Sequence, residues 1–499
     1  MAQYKTPGVY IVEKNAFPNS VVEVATAVPA FIGYTEKAAR DKTDLINIPT
    51  RISSLAEFDR YFGGPPKALF TIDEKDGGKL VPVPATLFLL YRSMRLFFDN
   101  GGGPCWIVSI GGYEGAKGTP IAKKAKDFDS AWPALAKEAE PTMIVVPDAV
   151  LLSAEDWKTI ANTALQHCVD LGSRIAILDI FDGDKARTND ADDVISGDTG
   201  FRRSVNSASP SYAVAYYPWL NTSIVEAKDI DYTNLDAASR KTLADSITVS
   251  LKAQQEDGDD LPQPLIDLIG TLTVEDRPCK EIHETHQSLM TSSSDYKETM
   301  GEILKAINVI PPSGAMAGVY TRTDNNEGVF KAPANTGIVS VVSLTVHISH
   351  DDQEDLNLPL DGKAVNAIRA FPGLGILIWG ARTLDGNSQD WRYVNVRRTL
   401  IMLEQSIKYA MAAYVFAPNA DATWVTVKGM VDNFLTNQWK AGALAGSNSS
   451  DAFSIDIGLG KTMTANDILE GTMRMEVKVA VTRPAEFIVL TFQQEMQTS

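Results

Sequence analysis

Few stretches of this sequence combine residue types and spacings that could do chemistry. Gly458-Leu459-Gly460-Lys461-Thr462 resembles the end of a phosphate-binding loop, in which backbone N–H groups wrap phosphate oxygens and the lysine reaches the outermost one. Such a loop needs a glycine five residues before Gly460, where Ile455 stands, so the stretch reads as a turn. The glycines 101–103 precede a strand, whereas a dinucleotide fingerprint follows a strand and opens a helix; they read as a helix stop. In His283-Glu284-Thr285-His286 the histidines are three apart, but a zinc-protease helix needs them four apart, with the glutamate next to the first. His347 and His350, followed by Asp351 and Asp352, could hold a metal in principle, but two histidines ending a β run read more simply as turn residues. Cys105, Cys168 and Cys279 form neither a ligand-spaced pair nor an even disulfide framework, which fits a reducing compartment. With five histidines and no nucleophile elbow, acid–base work would fall to carboxylates too abundant to single out a pair. The expectation is a non-enzyme with no cofactor and no metal.

The bulk composition narrows the class further. The 499 residues carry a net charge of −17, the wrong sign for a grip on nucleic acid or an anionic membrane. At 44% hydrophobic and 22% charged, the chain reads as an ordinary globular protein of about two to four domains. No run approaches the ~18 apolar residues that span a bilayer, and the first residues, MAQYKTPGVYIVEKN, lack the pattern of a secretory signal. A cytosolic, soluble protein is expected.

These residues must be positioned by elements whose order is legible. Residues 6–13 form a short β-rich run, and 21–38 read as two β runs broken at Pro29. Residues 53–62 suggest a Ser-capped helix stopped at Gly63-Gly64. A helix over about 84–98, the strand CWIVSI, the strand in PTMIVVPDAV, a Ser-capped helix from 153 to Gly172, the strand RIAILDIFD and the strand in SYAVAYYPWL then alternate. Near-continuous apolar strands alternating with helices predict a parallel sheet covered on both faces. Between 225 and 300, sixteen Asp/Glu stand against seven Lys/Arg, which predicts an exposed acidic insertion outside the core. GIVSVVSLTVHIS and LGILIWGARTL read as strands. A helix over 394–417 places Val396, Leu400, Leu403, Ile407, Met411 and Tyr414 on one face and Arg398, Gln405, Tyr409 and Phe416 on the other. TMRMEVKVAV alternates strictly, as a half-buried strand does. Last, Phe487-Ile488-Val489-Leu490 is an apolar strand with no hairpin turn to a neighbour, and Gly8-Val9-Tyr10-Ile11-Val12 is a second such piece. Free apolar strands of this kind are donors for β-augmentation, although both could also pair within one subunit.

Six ordered motifs carry a resemblance: TPGVYIVE at 6–13, VPAFIGYT at 28–35, GVYTRTDNNEGVFKAPAN at 318–335, LNLPLDGKAVNAIRAFPGLGILIWGARTL at 356–384, WRYVNVRRTLIMLEQSI at 391–407 and RPAEFI at 483–488. Together they are similar to the contractile tail sheath family of myophages, R-type bacteriocins and extracellular contractile injection systems, with the injection-system branch the nearest in length. One departure is Leu374, where the family often has arginine in FPGRG.

The resemblance implies a mixed α+β, multi-domain chain: a strand-donating arm at 1–20, a parallel-rich α/β outer body at 21–320 carrying the 225–300 insertion, a tube-facing core domain at 321–481, and a second donating arm at 482–499. It also implies strand exchange through Gly8, Val9, Tyr10, Ile11, Val12, Phe487, Ile488, Val489 and Leu490, with Arg398, Gln405 and Tyr409 facing an inner tube. The implied partners are further copies in stacked rings or a helical sheath, an inner tube protein, baseplate and terminator or cap proteins, and sheath paralogues. Assembly in the bacterial cytoplasm within a phage-tail-like particle that can be released from the cell follows from the same resemblance. Competing expectations are an α/β enzyme with a degenerate nucleotide site and a static shell protein.

Overall fold

A computed structural model describes residues 20–73, 78–115, 121–253 and 261–489. They form two compact units, Ala25–Arg398 and a second whose described residues are 20–24 and 399–489. The boundary expected at 320/321 falls inside the buried helix Ser313–Glu327; the units part at 398/399 instead.

The larger unit is organised by a nine-stranded sheet in the order 336–337, 375–378, 366–371, 213–217, 175–179, 143–145, 29–33, 105–109, 50–52. Every ladder from 366–371 to 105–109 is parallel, and the outer ladders are antiparallel. The inner strands PAFIG, MIV, IAILD and AVAYY are buried throughout, because helices cover both faces and leave no side chain a wet direction. One face packs Ala30, Ile32, Ile144, Ala176 and Leu178 against Trp157, Ile160, Ala161 and Ala164 of the helix Ala154–Leu171. That helix starts where the Ser153 side chain accepts from the Asp156 N–H and stops at left-handed Gly172.

Helices Leu90–Asp99 and Ser313–Glu327 pack closely on each other. Gly314 and Gly318, one turn apart, let the two backbones meet: a Cβ on Gly314 would lie 2.6 Å from the Ser93 carbonyl oxygen, and one on Gly318 would collide with that of Phe97. Each helix is stapled by a buried acid. Asp148 accepts from the N–H groups of Tyr34 at 2.8 Å and Leu89 at 2.6 Å, and Asp179 accepts from the Ser313 N–H at 2.9 Å and from its hydroxyl. Burial pushes the Asp179 carboxyl up to about 7, against the pull of the two Ser313 bonds.

Several expectations are corrected. Residues 21–28 make no strand: the Val28 N–H donates to Thr142 Oγ1 at 3.0 Å, and the ladder begins at Pro29. The helix read over 84–98 is a short 3₁₀ turn, Pro84–Thr86, followed by Leu90–Asp99. The strand Gly375–Ile378 has a hairpin mate, Asn366–Phe371, that periodicity missed.

The acidic insertion is the largest correction. Helices 237–253, 263–270, 279–292 and 294–307 close with the hairpin 70–82 around their own core, which includes Tyr232, Leu243, Ile247, Leu289, Tyr296 and Ile303. Its charge sits on solvent faces, while apolar residues three and four apart turn inward, so net charge alone missed the core of this exposed insertion. Residues 254–260 of the insertion lie outside the described residues.

In the smaller unit, Phe453–Ile457 pairs antiparallel with Met475–Val479, from Phe453 opposite Val479 to Ile457 opposite Met475. This ribbon lies against the helix Asp421–Lys440 through a core of Trp424, Val427, Ile457 and Met463. The helix expected over 394–417 runs from Val394 to Met411 and tightens into a 3₁₀ turn at Ala412–Tyr414. No helix among the described residues is long and apolar enough to cross a membrane.

Candidate assembly interface

The chemistry-bearing stretches settle into structural roles. In 458–462 the N–H groups of Lys461, Thr462 and Met463 all donate to the Gly458 carbonyl at 3.1–3.2 Å, so they turn inward and cannot cradle a phosphate. Thr462 Oγ1, which a phosphate loop would offer to a metal, donates to the Arg474 carbonyl at 2.7 Å. His286 is buried against the Tyr296 hydroxyl at 2.9 Å, and burial lowers its pKa. His283 points to the Gln287 amide, and exposed His350 pairs with Glu354 one turn along its own helix.

The C-terminal unit carries an open strand edge and an exposed apolar segment. Met475–Val479 alternates half-buried and exposed residues and pairs on one edge with Phe453–Ile457; the other edge is open among the described residues. A two-stranded ribbon is marginal by itself and is completed by further strands. After Thr482, whose N–H still donates to the Ala443 carbonyl at 3.1 Å, residues 483–489 adopt neither helix nor strand. Phe487, Ile488 and Val489 are 67%, 79% and 86% exposed. Three consecutive large apolar side chains left in water form a surface that a partner would cover. Leu490 and Gly8–Val12 lie outside the described residues. The chain just after the N-terminal piece is tied down within the smaller unit: the Val24 N–H donates to Ser406 Oγ at 3.1 Å, and Glu23 accepts from Gln438 at 2.9 Å.

The three residues expected to face a tube part company. Tyr409 is 47% exposed, and Gln405 is half-buried. Arg398 is not on a surface at all, which corrects its placement on an open helix face. Its guanidinium clasps Asp324 through two bonds of 2.9 and 2.6 Å, donates to the Thr26 carbonyl at 3.0 Å and lies over the Tyr320 ring. Thr26 Oγ1 donates to the same Asp324 carboxylate at 2.6 Å, and the Tyr320 hydroxyl meets that of Tyr216 at 2.6 Å. Both covalent connections to the smaller unit, at 24/25 and 398/399, therefore leave the larger unit from one buried ion pair. Sequence reading missed this hub because the partners are 74 positions apart with no shared motif. The Gly314–Gly318 spacing was a signal that could have revealed the close helix crossing.

Comparison with known proteins bears on the same region. Residues 387–495 match the family described as phage tail sheath C-terminal domain. Tail sheath proteins of Salmonella phage ViI and Vibrio phage KVP40 are 31% identical over 115 residues and 27% over 131. Those matched stretches span only 18% and 19% of the two relatives. Across nearly the whole chain, the fold is similar to a solved structure of the anti-feeding prophage helical sheath in its contracted state, with 26% identity, TM-score 0.61, and 99% and 100% of the two chains covered. It is similar also to the sheath complex of the extracellular contractile injection system PVC, in its contracted state, with 26% identity, TM-score 0.59 and 99% of each chain covered. Residues 387–495 thus match the phage tail sheath C-terminal domain, and over nearly its whole length the chain is similar to subunits of contractile sheaths.

Proposed function

We propose that this chain is the structural subunit of a contractile sheath, which polymerises around an inner tube in a metastable extended state and contracts to drive the tube through a target envelope. The observation that carries this reading is the full-length likeness to a helical sheath in its contracted state. Work then comes from two packings of the same bodies, with no nucleotide consumed; a few kcal/mol per subunit, summed over many copies, is sufficient. Baseplate and terminator or cap proteins, an inner tube and sheath paralogues are the partners of such an assembly, and a likeness to a chain of the anti-feeding prophage baseplate supports the first. Assembly would take place in the bacterial cytoplasm, within a particle that is then released.

In this reading the two arms are lent to neighbouring subunits. Phe487, Ile488, Val489 and Leu490, with Gly8 to Val12 from the other end, add strands beside an open ribbon edge such as Met475–Val479. Five or six ladder hydrogen bonds at about 1 kcal/mol net each, with burial of the apolar side chains, join bodies that still rotate. Tyr409, supported by Gln405, is the remaining candidate for tube contact. Negative-stain microscopy of the purified protein should show hollow striated cylinders. Deleting residues 485–499 should leave monomers or short rings, and full-length cylinders from the truncated chain would refute exchange at that end.

A further inference from the structure

A cavity of about 520 Å³ lies between the helix Leu90–Asp99 and the start of the helical insertion. Arg92 lines it while only 4% exposed, and its Nε is buried without a hydrogen-bond partner. Asp148 acts on it through space, but its oxygens are engaged by the N–H groups of Tyr34, Leu89 and Leu90. Loss of hydration lowers the Arg92 pKa to about 10, the direction expected of a guanidinium with no adequate counter-charge. Arg95 and Lys67 line the same cavity. Two acids line it as well, each with one oxygen held in a local turn, Asp229 by the Glu226 N–H and Asp231 by the Thr233 N–H and hydroxyl, so the lining still carries three cations against two anions. Apolar wall is provided by Ile224, Ile230 and Ile307. The volume falls within the range of small-molecule sites, and a buried cation beside an apolar wall selects an anion with an apolar body.

We propose that this cavity binds a small organic anion, a carboxylate or phosphate monoester, with Arg92 as the buried anchor and Arg95 and Lys67 nearer the mouth. The test is the melting temperature of the full chain titrated with inorganic phosphate and with phenyl phosphate, with ionic strength held constant by chloride. Phenyl phosphate should raise it by roughly 2–4 °C at saturation, and phosphate by less. Arg92→Met should abolish both shifts, and Arg95→Gln should weaken apparent affinity about tenfold. Arg203→Gln, whose exposed guanidinium pairs with Asp198, should change nothing. A flat titration of the wild type overturns the site, as does an equal response from Arg95→Gln. If Arg92→Met fails to fold, Arg95→Gln and Lys67→Gln decide. A shift with phosphate that phenyl phosphate does not exceed overturns the apolar part of the specificity.

Discussion

At the residue scale, the pair Arg398–Asp324 decides more than its two side chains suggest. Both are almost fully buried, at 4% and 3% side-chain exposure, so each charge depends on the other for compensation. Asp324→Leu should cost about 3–5 kcal/mol in urea unfolding because it strands the guanidinium, whereas the double variant with Arg398→Met should recover most of that loss. Equal losses in the single and double variants would show that packing, not charge, matters there. Asp179 makes a pH-dependent prediction. Its carboxyl titrates at about 7 in the fold against an ordinary 3.8, so the fold favours the protonated form. That contribution is complete below the ordinary value and is lost as pH rises through 7. Asp179→Asn keeps an acceptor for Ser313 without the charge, so its stability relative to wild type should improve between about pH 4 and pH 7 and level off above that. A difference independent of pH in thermal melts would contradict the assignment.

At the element scale, the crossing of Leu90–Asp99 and Ser313–Glu327 depends on two missing side chains. Gly318→Ala gains about 1 kcal/mol of helix propensity, yet it places a methyl group onto the Phe97 carbonyl, a backbone atom that cannot rotate away. Overpacking of this kind costs about 1–3 kcal/mol, so the clash should win and the melting temperature should fall. Gly429→Ala, in a helix where an added Cβ meets nothing within 4 Å, is the control and should be neutral or stabilising. The C-terminal ribbon is the contrasting element: its inner strand is seated on a helix, while its outer strand has an edge left to fill.

At the scale of the whole molecule, stability and assembly should separate. Phe487 and Val489 are exposed, so Phe487→Asp should change unfolding free energy by less than about 0.5 kcal/mol. Under the proposed strand exchange the same change should abolish cylinders in the microscope, because a carboxylate cannot be buried in an inter-subunit ladder without a partner. Cylinders of wild-type length from this variant would remove Phe487 from the exchanged strand.

How much was legible in advance follows from which forces are local. Helix caps at Ser54 and Ser153, the glycine stops at Gly63 and Gly172, and the apolar runs of the parallel strands were readable because dihedral preference, capping and burial periodicity act within a few residues. The six motifs, and through them the resemblance to contractile sheaths, were likewise present in order along the chain. Tertiary structure decided what depends on partners distant in sequence. It drew Arg398 inward to Asp324, gave the acidic stretch 225–300 a core of its own, and moved the unit boundary to 398/399. Composition registers the charge on a solvent face but not the apolar face folded beneath it. An isolated arginine reads the same whether it meets water or a carboxylate 74 residues away.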